Sequence, residues 1–144
     1  MGDMLRNKEA LQSKAALQSK ADLQGKAILL GKLLDDHRGG KVVVMDMGEL
    51  NFWTDYFVIA TATSSTHSRG LEKHIKEFMR ENDLEIFHRS RKPDEDDEWC
   101  LLDLGSIVIH LMTEKARSFY ELERLWSSAP LIYGGDSSQS SKSS

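Results

Sequence analysis

The stretch Glu98–Met112, Glu-Trp-Cys-Leu-Leu-Asp-Leu-Gly-Ser-Ile-Val-Ile-His-Leu-Met, leaves few folding options. Two apolar runs flank Asp103-Leu104-Gly105-Ser106, a turn signal with glycine where a positive φ is easily adopted. The pattern predicts a β-hairpin. With Leu104 and Gly105 as its loop, Asp103 would pair with Ser106, Leu101 with Val108 and Trp99 with His110. Side chains alternate across a strand. One face then carries Cys100, Leu102, Ile107, Ile109 and Leu111, all apolar, and belongs to a core. The other carries Trp99, Leu101, Asp103, Ser106, Val108 and His110, a mixed set. An aromatic anchor among a few polar groups is the make-up of a contact surface. The competing structural reading is a Trp99–His110 pair buried beneath a helix, with His110 satisfied by a backbone carbonyl.

A chain of 144 residues has room for one domain with a substantial core. Its charge of −4 is unevenly spread. Residues 1–33 hold six basic and three acidic groups, whereas the remainder holds 13 basic and 20 acidic. An acidic globular part argues against binding nucleic-acid phosphates, which takes clustered Lys and Arg. It suits a basic partner such as a ribosomal protein. The single cysteine, Cys100, implies a reducing compartment, and no apolar run approaches transmembrane length. Without a hydrophobic leader pattern at its start, the chain reads as cytoplasmic.

The first thirty-odd residues repeat with a period of six: units begin at Leu5, Leu11, Leu17 and Leu23, Leu29 opens a degenerate fifth, and residues 1–22 read as a separate arm. Six residues advance an α-helix by about 600°, so these leucines ring the helix rather than line one side. The arm is expected to be a frayed or helical extension. From Asp22, a candidate N-cap, Leu23, Ala27, Leu30 and Leu34 define an amphipathic helix that ends near His37-Arg38, broken by Gly39-Gly40. Lys41–Met47 and Tyr56–Thr61 read as buried strands. The polar stretch to His67 caps a helix bearing Leu71, Ile75, Phe78 and Met79, and a short third strand is expected at Leu84–His88. After the hairpin, Thr113 caps a helix with Ala116, Phe119, Leu122 and Leu125 facing inward. The order predicts an α/β fold: an α-β-α sandwich around a mixed five-stranded sheet spanning 23–127. Residues 128–144 read as an extended, Ser-rich disordered tail.

Candidate chemistry is thin. The Thr61–His67 turn opens a helix, where an anion can bind, but it lacks the glycines of a phosphate cradle, and ordinary capping explains it. Ser64, Ser65 and His67 with Asp55 or Asp103 do not resemble a nucleophile elbow. Consecutive carboxylates at Asp94–Glu98 point in different directions, and the histidines show no zinc spacing, so no metal and no cofactor are expected. Nucleotidyltransferases of α/β fold carry Gly-Ser followed by a metal-binding Asp-x-Asp. Here Gly105-Ser106 is followed by no such pair, so a fold of that type would lack its catalytic carboxylates.

Trp-x-x-x-Asp-Leu-Gly-Ser-Ile-Val-Ile-His-Leu-Met at 99–112 resembles the Iojap-like ribosomal silencing factor family. So does Arg117-x-x-Tyr120-x-Leu122-Glu123-x-Leu125-Trp126, and so does Thr54–Ile59 with the following Thr61-Ala62-Thr63-Ser64-Ser65-x-His67. The resemblance covers Leu23 to Trp126. It implies a nucleotidyltransferase-like fold without enzymatic activity. The implied role is binding the large ribosomal subunit through ribosomal protein L-fourteen, blocking the joining of the small subunit and repressing translation under nutrient limitation. It also implies a homodimer off the ribosome; from charge and hydropathy, no direct sequence-specific nucleic-acid contact and no membrane are expected. Carried over by position, the docking residues are Trp99, Asp103, Leu104 and Gly105, with Ser106 and His110 beside them. Ala62 and Thr66 depart from the family's usual Gly and Arg, and Arg69 is the nearest substitute in charge. The alternative is a nucleotidyltransferase-related enzyme using Asp46, Asp55 or Asp103 with a metal.

Overall fold

The computed structural model describes residues 21–48, 50, 54–86, 88–91 and 98–134. The hexad arm through residue 20, the acidic run at 94–97 and the Ser-rich segment from 135 lie outside the described residues. The first helix, α1, occupies residues 21–36. Asp22 sits within it, so it is not the N-cap. Ala27, Leu30 and Leu34 are buried along one side, as their spacing predicts. At its end the Gly39 N–H bonds to Leu34 O at 2.7 Å and the Arg38 N–H to Asp35 O at 3.1 Å, the two bonds of a Schellman cap. Arg38 takes the left-handed position, φ +70°, where glycine is usual. Arg38→Gly is therefore expected to raise stability by about 1 kcal/mol, measured by thermal unfolding.

Strands β1 (Gly40–Asp46) and β2 (Tyr56–Thr61) follow, then α2 (Ser65–Glu81) and the short β3 (His88–Arg91). The hairpin is β4 (Trp99–Asp103) with β5 (Ile107–Met112). Two short helices, α3 (Glu114–Tyr120) and α4 (Leu122–Leu125), precede β6 (Leu131–Gly134). The sheet order is β3-β4-β5-β2-β1-β6. Only β2 and β5 run parallel, and every other neighbouring pair is antiparallel. The expected mixed sheet in an α/β fold is present, with a sixth strand. Leu131–Gly134, read as part of a disordered tail, instead pairs with β1 along its open edge. The approach of α1 to that edge requires Gly31, where an added Cβ would lie 2.7 Å from a Val44 methyl and 3.1 Å from the Tyr133 ring.

The hairpin forms with its register moved by two residues. Asp103 pairs with Val108, Leu101 with His110 and Trp99 with Met112. The Leu104 N–H bonds to Ile107 O at 2.8 Å, leaving Gly105 and Ser106 as the two-residue loop, with Gly105 at φ +86°. A shift of two keeps every side chain on its predicted face, where a shift of one would have reversed them all. Cys100, Leu102, Ile107, Ile109 and Leu111 accordingly join α1 and α2 in one core layer. On the opposite face Val43, Met45, Phe57, Ile59, Val108 and Met112 form a second layer with α3 and α4.

Two further expectations are corrected. The third strand begins at His88, not Leu84. Asp83 adopts φ +55° and the Leu84 N–H bonds back to Met79 O at 2.9 Å, so this segment caps α2 instead of entering the sheet. The helix after Thr113, capped as expected by the Thr113 hydroxyl accepting from the Ala116 N–H at 3.1 Å, breaks at Glu121, φ +45°. Ala116 and Leu122 are buried, but Phe119 is 77% and Leu125 68% exposed. Repeated steps of three residues drift by about 60° each on a helix, so all four could not share one side.

Candidate docking surface

The mixed face of the hairpin lies at the edge of the second core layer. β4 places Trp99 beside β5, and its indole Nε1–H donates to His110 Nδ1 at 3.1 Å. Since Nδ1 accepts, the His110 proton resides on Nε2, which has no hydrogen-bond partner among the described residues. His110 is 3% exposed, and burial pushes its pKa from 6.5 down to about 3. The Phe57 ring meets it edge-on at 4.7 Å. The buried-pair reading is thus correct for His110 itself, with Trp99 rather than a carbonyl as its partner. Trp99 remains half-buried and reaches outward.

Around Trp99 the aromatic rings continue. Tyr120 lies 4.5 Å away between ring centroids, and Phe119 a further 4.9 Å from Tyr120. Trp126 stands edge-on to Phe57 at 6.2 Å. Both tryptophans and Tyr120 are half-buried against the second layer, while the break at Glu121 leaves Phe119 and Leu125 in solvent. Large apolar side chains left exposed beside half-buried aromatic rings match the anchor-and-rim composition of protein interfaces.

The other predicted residues are distributed less evenly. Asp103 ends β4, about 13 Å along the strand from Trp99. Its carboxylate accepts the Gly105 N–H at 2.7 Å and so shapes the loop. Gly105 and Ser106 are partly exposed at that loop. Leu104 is 5% exposed and packs into the first core layer, away from the mixed face. The residues missed as surface are Phe119 and Leu125. Tyr120, Leu125 and Trp126 belong to the quoted helical motif, the one sequence signal that places this region beside Trp99.

Arg117, also in that motif, holds the surface in place. Its side chain is 8% exposed and pairs with Glu123 through Nε and Nη2 at 3.2 and 3.0 Å. Nη1 donates to Gly40 O at 3.1 Å and to the Thr61 hydroxyl at 3.0 Å. One guanidinium thus fixes α3, α4 and the adjoining ends of β1 and β2.

The readings as a catalytic site find little geometry. Ser64 Oγ caps α2 by accepting the His67 N–H at 3.0 Å, and His67 Nδ1 accepts the Thr63 N–H at 3.0 Å while Nε2 donates to His37 O at 3.0 Å. Asp46 accepts the Gly48 N–H at 3.0 Å. Burial, then Asp46 and Asp55, raise the Tyr56 pKa. Among the described residues no group of three or more His, Cys, Asp or Glu is placed to hold a metal ion. No helix among them is long and apolar enough to cross a membrane.

The family model described as "Ribosomal silencing factor during starvation" matches residues 20–144. The chain belongs to this family. The ribosomal silencing factor of Bacillus subtilis is 32% identical over 97 residues, covering 67% of this chain and 80% of that protein. A mouse protein named for mitochondrial assembly of the ribosomal large subunit is 36% identical over 75 residues, 51% of this chain and 33% of its own length. A crystal structure from Chromobacterium violaceum superposes with a TM-score of 0.65 at 26% identity, over 72% of this chain and 85% of that one. The match runs past Trp126 and takes in the sixth strand.

Proposed function

We propose that this silencing-factor chain acts by steric occupation of the large ribosomal subunit, without catalysis. It docks on ribosomal protein L-fourteen, stands where the small subunit joins, and thereby represses translation under nutrient limitation. The observation that carries this reading is the exposure of Phe119, whose ring continues from Tyr120 and Trp99, together with the exposure of Leu125, which precedes the half-buried Trp126. Apolar side chains this exposed contribute little to the fold, so their retention in solvent calls for a partner. Asp103 and the Gly105–Ser106 loop form the polar end of the same hairpin and meet Lys or Arg of a basic ribosomal protein. Off the ribosome, a second copy covers the patch, giving a homodimer in the cytoplasm.

Co-sedimentation with purified large subunits tests this. Phe119→Ala with Leu125→Ala is expected to weaken binding by about 2 kcal/mol or more, roughly thirtyfold. Its thermal stability should stay within about 0.5 kcal/mol of wild type, since both side chains are largely in water. Trp99→Ala should lose binding similarly, and Asp103→Ala less. Wild-type protein that fails to sediment would overturn the function, and undiminished binding by the folded Phe119/Leu125 variant would overturn the surface.

A further inference from the structure

The outer side of α2 does not share the acidity of the globular part. Arg69, Lys73, Lys76 and Arg80 follow one another at i, i+4, i+7 and i+11, and all four are exposed. At 100° per residue they fall within about 60° of each other, a straight row of cations about 17 Å long. The opposite side of the helix is pinned by buried Leu71, Ile75 and Met79, so the row is held rigid. The acids of α2 only partly offset it. Glu72 is turned inward, buried and accepting from the Cys100 thiol at 3.3 Å, Glu77 lies on the flank, 4.0 Å from His74, and Glu81 ends the helix after Arg80. Among the described residues, Lys73, Lys76 and Arg80 have no carboxylate within 4.0 Å.

Beside the row is a concavity of about 540 Å³. Lys73, Lys76 and Arg80 stand on its rim, Met79, Leu84 and Ile86 contribute apolar surface, and Glu77 and Glu85 complete the lining. Cations beside apolar surface fit the phosphate-and-ribose edge of a nucleic-acid backbone better than a uniformly polar anion. α2 also packs on the face of the sheet opposite α3 and α4. A ligand on this row would leave the aromatic surface free.

We propose that Lys73, Lys76 and Arg80, extended by Arg69, form a backbone contact for structured RNA, made alongside the protein contact when the chain sits on its subunit. The contact reads phosphates and carries no sequence specificity. Its placement on the ribosome rests on the function proposed above, but RNA binding by the isolated protein does not, so the two can fail separately.

The test is fluorescence anisotropy of the full chain with a labelled RNA hairpin of arbitrary sequence, across a salt series. Three phosphate contacts predict that wild-type affinity falls about fortyfold between about 50 and 200 mM salt. The triple variant Lys73→Gln, Lys76→Gln, Arg80→Gln should bind at least about tenfold more weakly at low salt, with a much flatter salt dependence. Thermal melts confirm that it folds, and Lys73→Arg with Lys76→Arg should retain wild-type binding. The Phe119/Leu125 variant should also bind the hairpin normally, whatever it does on subunits. The proposal is overturned if wild type does not bind the hairpin at low salt, or if the triple variant keeps the wild-type slope. It is equally overturned if polyglutamate binds as tightly as the RNA, which would assign the row to an acidic protein.

Discussion

At pH 5 the protein is expected to be about 2 kcal/mol less stable than at pH 7 on account of His110 alone. The folded pKa is about 3, because the ring is buried, whereas the unfolded chain takes up a proton near 6.5. Above 6.5 both states carry a neutral ring and no penalty arises. As pH falls from 6.5 toward 3, the unfolded state binds one proton more than the folded state, and stability drops by about 1.4 kcal/mol per pH unit. Below 3 the loss levels off. Carboxylates and the other histidines contribute to any raw pH profile, so the informative quantity is a difference. Urea unfolding of wild type and of His110→Leu at pH 7 and pH 5 isolates the one ring. The wild type should lose about 2 kcal/mol more than the variant. Parallel pH profiles would show that the ring titrates alike in both states. At pH 5 the folded ring is still neutral and still accepts from Trp99 Nε1, so the loss of stability is expected without a change at that hydrogen bond.

Arg117→Met is expected to destabilise the fold by about 3 kcal/mol, at the lower end of the range for breaking a buried ion pair. Glu123 is 40% exposed and can be rehydrated, which limits the cost of stranding it. The Gly40 carbonyl and the Thr61 hydroxyl lose a shared donor at the junction of β1 and β2. The melting temperature should fall by about 10 °C. Arg117→Lys should recover only part of this, because an ammonium cannot span both Glu123 oxygens and the two sheet acceptors together. A melt of Arg117→Met within about 2 °C of wild type would show that α3 and α4 are held by packing alone.

What could be read from the chain, and what could not, follows the range of the forces involved. The β4–β5 hairpin was legible because alternation has a period of two, and its two-residue register error left the faces intact. The double-sided apolar composition of β1 and β2 likewise announced their central positions. The split of α3 from α4 was not legible. It depends on Glu121 entering the left-handed region, which an ordinary glutamate does not advertise, and on Arg117 reaching residues far away in sequence. That break turned two expected core residues, Phe119 and Leu125, into the most exposed part of the candidate surface. Alternation sets Trp99 on the mixed face of the hairpin, against the second layer, whereas Leu104, expected at the docking surface, is folded by the loop into the opposite layer. β6 was hidden by its brevity and by the Ser-rich residues that follow it. Only its partner strand makes sense of it.

That late strand changes what the rest of the chain can safely do. β1 is seven residues long and buried over Val42–Met45, and its outer side would otherwise be a flat, apolar row of free N–H and C=O groups. Such a row templates further strands from other molecules. β6 occupies it with four residues, none of them buried, preceded by Pro130 and ending at Gly134, whose φ is +86°. A strand this short, with proline at its threshold, offers a poor template to the next copy. Proteolysis or truncation between Trp126 and Leu131 would leave the motif-bearing region intact yet convert a protected edge into a nucleus for aggregation.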